Sequence, residues 1–254
     1  MKNLLNKVPE ITIFFWIVKV LATTVGETVA DFLNTKMNLG LTGTSLVMAG
    51  FFAVALAVQL TRKRYIPAVY WLVVVLISVV GTLISDTLVD TYNVPLATTS
   101  AIFAAGLAIV FLAWWRSERT LSVHVVRTTK RELFYWSAIL LTFALGTSDG
   151  DLIAEASHLG YPLTALLFAA GIALTFVAHR FLHVDGVLAF WTAYIFTRPL
   201  GASTGDLLSQ PVADGGLGLG TTVTSAAFLI VIVGMVLFMT QRLGPSGREL
   251  PVRS

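Results

Sequence analysis

The chain has 254 residues, 56% of them hydrophobic and only 12% charged, with a formal net charge of +3 and no cysteine. A soluble domain is about a quarter charged, so this balance indicates a polytopic membrane protein, and the absence of thiols excludes disulfides, thiolate metal sites and cysteine nucleophiles. Runs such as Trp71 to Gly81 lack the alternation of a barrel strand, which leaves an all-α fold.

Crossing a hydrocarbon core of about 30 Å takes about 20 apolar residues. Stretches of that kind predict eight transmembrane helices, at 11–32, 41–61, 68–88, 95–115, 133–154, 161–179, 187–208 and 221–241. The first follows Lys2 and Lys7 as a secretory signal would, but Glu10 and Lys19 interrupt it and no small-residue cleavage site follows, so it reads as a retained helix. Of 17 Lys and Arg, 14 fall in the tails and in the connectors after the second, fourth and sixth helices: Lys2, Lys7, Arg62, Lys63, Arg64, Arg116, Arg119, Arg127, Lys130, Arg131, Arg180, Arg242, Arg248 and Arg253. The positive-inside rule then puts both termini and these connectors in the cytoplasm, and it accounts for the basic charge without any nucleic-acid partner.

One pattern occurs four times, always on an odd-numbered helix. Trp is followed ten residues later by Gly, fourteen later by a small residue and fifteen later by Asp, in Trp16/Gly26/Ala30/Asp31, Trp71/Gly81/Ser85/Asp86, Trp136/Gly146/Gly150/Asp151 and Trp191/Gly201/Gly205/Asp206. Successive Trp residues are 55, 65 and 55 apart, so the chain divides into two halves, 1–125 and 126–254, each made of two hairpins. A hairpin crosses twice, so the four copies share one orientation and form parallel repeats. Each even helix opens on a second signature, Gly40 to Ser45, Pro95 to Ser100 and Gly220 to Ser225, which Pro162 to Leu167 keeps only in part. Pro or Gly followed by hydroxyls suits a helix N-terminus, so Thr44, Ser45, Thr99, Ser100, Thr224 and Ser225 read as caps, or as neutral oxygens for a cation.

This two-helix repeat, with its Trp, Gly and Asp in register from Trp16 to about Gln241, resembles a family of bacterial integral membrane proteins defined by four tandem copies of a repeat of unknown function. The resemblance implies a multi-pass protein of the bacterial inner membrane with about eight helices, and it implies no chemistry.

The small residues Gly26 and Ala30, Gly81 and Ser85, Gly146 and Gly150, and Gly201 and Gly205 are four apart on one helix face. That is the pattern that lets helices approach closely in lipid, although Gly and Ala are common there anyway. Each Asp lies roughly 22 Å along the axis from its Trp. With Trp at the inner interface, the Asp falls in the outer third of the membrane or at its boundary, where it needs a proton, a cation or a basic partner unless it faces water or caps a neighbouring helix. Glu27, Asp90, Asp149 and Glu155 accompany the four. Lys19 lies eight before Glu27 and Arg198 eight before Asp206, each two turns toward the cytoplasm on a similar face of its own helix. Such cations either pair inside the bundle or snorkel to the interface. Pro199 should kink the seventh helix, which makes that helix the candidate moving element. His179 and His183 have a spacing that can chelate metal on one helix face, and no phosphate loop, HExxH or GxSxG motif occurs.

If Asp31, Asp86, Asp151 and Asp206 point to one axis with Glu27 beside them, they cannot all stay ionised without protons or a shared cation. Oxygen donors suit Mn²⁺, Mg²⁺ or Ca²⁺. The sequence therefore predicts a small secondary transporter rather than an enzyme, free of cofactor, proton-coupled and moving a divalent metal such as manganese. In it Lys19 and Arg198 act as counter-charges. Two other readings stay open: a carrier of a small organic anion held by Arg198 and Lys19, and a membrane scaffold or partner subunit whose Asp residues cap helices. A homo-oligomer is compatible with each. An intramembrane hydrolase on Asp149 and Asp151 is poorly served by fourfold repetition.

Overall fold

Each predicted stretch is helical in the protein's computed structural model, which describes residues 6–36, 40–156 and 159–242. The helices are α1 (Ile13–Lys36), α2 (Gly40–Thr61), α3 (Pro67–Asp86), α4 (Leu96–Glu118), α5 (Thr129–Asp151), α6 (Gly160–Phe181), α7 (Gly186–Ser209) and α8 (Thr221–Arg242), and no strand occurs among the described residues. α3 and α5 each run on into one π-helical turn, Thr87–Thr91 and Leu152–Ala156. Lys2, Arg248 and Arg253 of the basic set lie outside the described residues, as does the side chain of Glu155. Among the described residues, seven helices are long and apolar enough to cross a membrane. α7 has the length, 24 residues, but with Arg198, Pro199 and Asp206 it is too polar by the same measure.

The odd helices form the interior. α1 packs on α3, α3 on α5, α5 on α7 and α7 back on α1, a closed ring of neighbours. The even helices lie outside this ring, and each packs mainly on the odd helix that follows it: α2 on α3, α4 on α5, α6 on α7, and α8 on α1. Their outward faces leave Val54, Ile109, Phe176 and Ile230 exposed. Lipid tails accept such side chains without cost, so outer helices gain their hold from packing and hydrogen bonds.

Close approach in the ring is built on glycine. Gly26 lies against Ser78, Gly81 against Phe143, Gly146 against Arg198 and Gly201 against Thr23. These four partners also share one register, seven residues after each Trp. A Cβ at position 26, 146 or 201 would stand 2.5 Å from the Cβ of its partner, and one at 81 would stand 2.6 Å from that of Phe143. No side chain fits there, which is the physical reason each helix carries Gly at this point. Gly150 and Gly205, one turn on, sit less tightly, with a Cβ reaching 3.6 Å from Pro199 and 3.3 Å from Thr28.

The hydroxyls that open the even helices do not cap them, contrary to the expectation from sequence. α2 starts at Gly40, α8 at Thr221, and α4 at Leu96 with Pro95 in the cap position, so the Thr-Ser pairs lie a turn inside. The serines bridge instead to the next odd helix. Ser225 Oγ donates to Thr28 Oγ1 at 2.7 Å, Ser100 Oγ to Ser148 Oγ at 3.1 Å, and Ser45 Oγ meets Thr87 Oγ1 at 3.4 Å. Thr44, Thr99 and Thr224 are buried, and Thr224 Oγ1 donates back to the Gly220 carbonyl at 2.9 Å.

At the end of the ring that carries the Trp residues, the chain before α1 lies across the connectors leading to α3 and α5. Lys7 N donates to the Val126 carbonyl, Tyr65 N to that of Asn6, and Trp191 Nε1 to that of Leu121 at 3.0 Å.

Candidate site inside the helix ring

Residues three, seven, eleven and fifteen after each Trp fall near one face of an odd helix, because steps of four nearly match the helical period. They stack as layers through the ring. The first layer is Lys19, Val74, Ile139 and Tyr194; the second Thr23, Ser78, Phe143 and Arg198; the third Glu27, Thr82, Thr147 and Ala202; and all twelve side chains are buried. The fourth layer is the Asp quartet. Asp206 is 7% exposed, while Asp31, Asp86 and Asp151 are half-buried.

Arg198, 0% exposed, is the hub. Its Nη2 donates to Glu27 Oε2 at 2.7 Å, to Thr147 Oγ1 at 2.6 Å and to Thr82 Oγ1. Nη1 donates to the Thr23 carbonyl at 2.7 Å and Nε to the Phe143 carbonyl at 3.3 Å. All four inner helices therefore meet at one guanidinium. The side chain reaches across to α1 rather than along α7 to Asp206. Contact with two helix backbones is possible because Gly146 and Gly201 let α5 and α1 close on α7. α7 stays helical on both sides of Pro199.

Lys19 does not snorkel. It is 1% exposed, with Nζ 4.0 Å from the centre of the Phe143 ring and 4.3 Å from that of Tyr194, and it has no hydrogen-bond partner among the described residues. Two aromatic faces attract an ammonium but do not replace hydrogen bonds.

The acidic layer lies on the other side of the hub. Asp86 is within electrostatic range of Glu27, Asp151, Asp31 and Asp90, and Asp206 of Glu27, Asp31 and Asp151. Gln210 Nε2 donates to Asp31 Oδ2 at 3.3 Å, and Gln210 also lies beside Asp206. Asp149 lies near Ser100 on α4. Among the described residues no three His, Cys, Asp or Glu side chains are close enough to hold one metal ion. His179 is exposed, with Nδ1 at 2.8 Å from the Val184 carbonyl.

Residues 14–65, 69–120, 134–184 and 189–242 each match the family model described as Repeat of Unknown Function (DUF347). The chain belongs to the DUF347 family. Each DUF347 repeat begins two residues before its Trp and holds an odd helix with the even helix that follows, so the outer helix of one repeat seats on the inner helix of the next. No curated protein and no solved structure matches the chain. The four repeats share Trp, Gly and Asp, but the ionisable residues of the buried layers belong to two of them: Lys19 and Glu27 to the first, Arg198 to the fourth. Those repeats touch where α7 closes the ring on α1.

Sequence reasoning missed several members of this interior. Thr82 and Thr147 occupy the register position of Glu27, and extending the Trp count to position eleven would have found them. Glu132, beside the basic Lys130 and Arg131, is 1% exposed. It pairs with Lys7 and accepts from Gln59 Nε2 at 2.9 Å, while Lys7 also donates to the Leu60 carbonyl at 3.1 Å. Between this pair and Lys19 lie the buried rings of Phe15, Tyr70, Trp71, Tyr135, Trp136 and Tyr194. The interior is thus packed shut at the Trp end and partly open at the Asp end.

Proposed function

We propose that the protein is a proton-coupled secondary carrier of a small cation, with a divalent metal such as Mn²⁺ as the class its oxygen donors suit. The observation that carries this reading is the common field of the Asp layer: Asp86 and Asp206 each feel Asp31, Asp151 and Glu27, directly above the buried Glu27–Arg198 pair. Carboxylates that share one field lower their repulsion by taking up protons or by sharing a cation. Protons and cation then compete for the same groups, which is the physical basis of exchange. The acids stand too far apart for one ion to be held directly by three of them. An ion that enters this arrangement keeps part of its water shell, as small divalent cations readily do.

Glu27 is the switch in this reading, since it answers both to Arg198 and to the charge of the Asp layer. In the same reading α7 is an eighth span, its polar residues sheltered by α1, α5 and α6. In this reading the Trp end faces the cytoplasm of a bacterial cell and the acids open outward, which the basic connectors support. Transport of an organic anion is less well supported, because Nε, Nη1 and Nη2 of Arg198 each already donate within the protein, to Glu27, Thr82, Thr147 and two carbonyls.

The test is Mn²⁺ flux into proteoliposomes, read with a quenched internal dye, alongside internal pH. Asp86→Asn and Asp206→Asn should each reduce both signals at least tenfold while the variants fold normally. Unchanged flux in both, or a wild-type protein that moves neither ion, would overturn the proposal.

A further inference from the structure

Between the Glu27–Arg198 pair and the Trp end, the ring holds a run of polar groups that the carrier reading above does not use. Four of them are buried without a hydrogen-bond partner among the described residues: Lys19 Nζ, Ser78 Oγ, Tyr194 OH and Trp136 Nε1. Unmet donors and acceptors are rare in interiors and recur where water or a mobile proton serves them. The groups also follow one another. Lys19 is within electrostatic range of Arg198 and lies against the Tyr194 ring. Tyr194 packs on Trp191, ring centres 5.6 Å apart, and Trp191 on Tyr135 at 6.3 Å, while the hydroxyls of Tyr135 and Tyr70 are hydrogen-bonded to each other. Tyr135 is in turn within range of Glu132. Glu132 pairs with Lys7, and Lys7 borders a cavity of about 450 Å³ rimmed by Arg62, Lys63 and Arg127.

We propose that Glu132, Tyr135, Tyr70, Tyr194 and Lys19 form a proton relay through the closed half of the ring, joining the Lys7 cavity to Glu27. It rests on the proton coupling proposed above and names the route that coupling takes. Each transfer is balanced. A proton arriving on a tyrosine oxygen forms a new O–H bond as the original phenolic proton leaves for the next group, so every tyrosine ends neutral. Lys19 gives a proton from its ammonium, becomes an amine and takes another from the tyrosine side. The last proton bonds to a Glu27 carboxylate oxygen and loosens the Arg198 pair, or leaves it in the reverse direction. Internal water bridges the gaps that the four unpartnered atoms mark. The tight aromatic packing passes protons and blocks metal ions, as an exchanger needs.

The experiment uses full-length protein in proteoliposomes with Mn²⁺ as probe, pyranine for internal pH, and H₂O against D₂O. The variants are Lys19→Met, Tyr194→Phe and Tyr135→Phe, with Phe168→Leu, buried on the outer helix α6, as a packing control outside the relay. The relay predicts that each of the three slows Mn²⁺-driven proton movement at least tenfold and that the wild type slows at least twofold in D₂O. Mn²⁺ binding at the Asp layer, measured by titration calorimetry, should stay within threefold in all of them, and the control should keep its proton movement. Wild-type exchange of protons for Mn²⁺ with unchanged Lys19→Met and Tyr194→Phe overturns the relay alone. Wild-type Mn²⁺ flux without proton movement, or no flux, overturns the coupling and the relay together.

Discussion

The Glu27–Arg198 pair makes a quantitative claim about stability. Glu27→Leu leaves a guanidinium that is 0% exposed with only hydroxyl and carbonyl acceptors. Removing one partner of a buried pair costs about 3–5 kcal/mol, because the other charge stays desolvated and uncompensated. Arg198→Met does the reverse and strands the carboxylate. The double variant Glu27→Leu/Arg198→Met replaces both charges with apolar groups of similar size, a change that costs about 1 kcal/mol or less in comparable cases. At roughly 2–4 °C per kcal/mol for a chain of this size, each single variant should lower Tm by about 6–20 °C and the double by under about 4 °C. The six tryptophans give an intrinsic signal for thermal unfolding in detergent. A double variant whose loss equals the sum of the single losses would refute the reasoning, since two independent sites would then be at work.

The glycine contacts predict a second pattern: Gly146→Ala and Gly201→Ala should each destabilise by about 1–3 kcal/mol through overpacking. Gly50→Ala and Gly234→Ala, with nothing within 4 Å of a new Cβ, should be neutral or gain up to about 1 kcal/mol of helix propensity in the same melts. Lys7→Met strands buried Glu132, so it should cost about 3–5 kcal/mol, and limited proteolysis should then cut the chain before α1 sooner than in wild type. Ser225→Ala and Ser100→Ala each remove one bond from an outer helix to its inner neighbour and should cost about 1 kcal/mol, measured by denaturant unfolding in mixed micelles.

The helices were legible in the sequence because apolar runs of membrane length leave few alternatives, and even α7 was visible despite Arg198 and Asp206. The fourfold Trp, Gly and Asp register was legible because each inner helix meets the same neighbours' backbone at the same height. What partners Arg198 was not. Spacing along one helix relates it to Asp206, whereas its contacts to Thr23, Glu27, Thr82, Phe143 and Thr147 exist only once four helices surround it. Glu132 escaped notice for a similar reason: beside Lys130 and Arg131 it resembles any interfacial acid, and only the segment before α1 brings Lys7 onto it. The capping expected of the hydroxyl pairs fails because helix starts are set by the chain's entry from the loop. A shift of one turn carries a serine from its own helix end to a neighbouring helix.

Seating each outer helix on the following repeat also orders events during synthesis. Emerging ahead of α7 and α8, α1 has neither α8 to cover it nor α7 to complete its face until the fourth repeat is inserted. Glu27 therefore enters the bilayer 171 residues ahead of Arg198. The circle closes only when α7 reaches α1, and that contact locks the buried charge away.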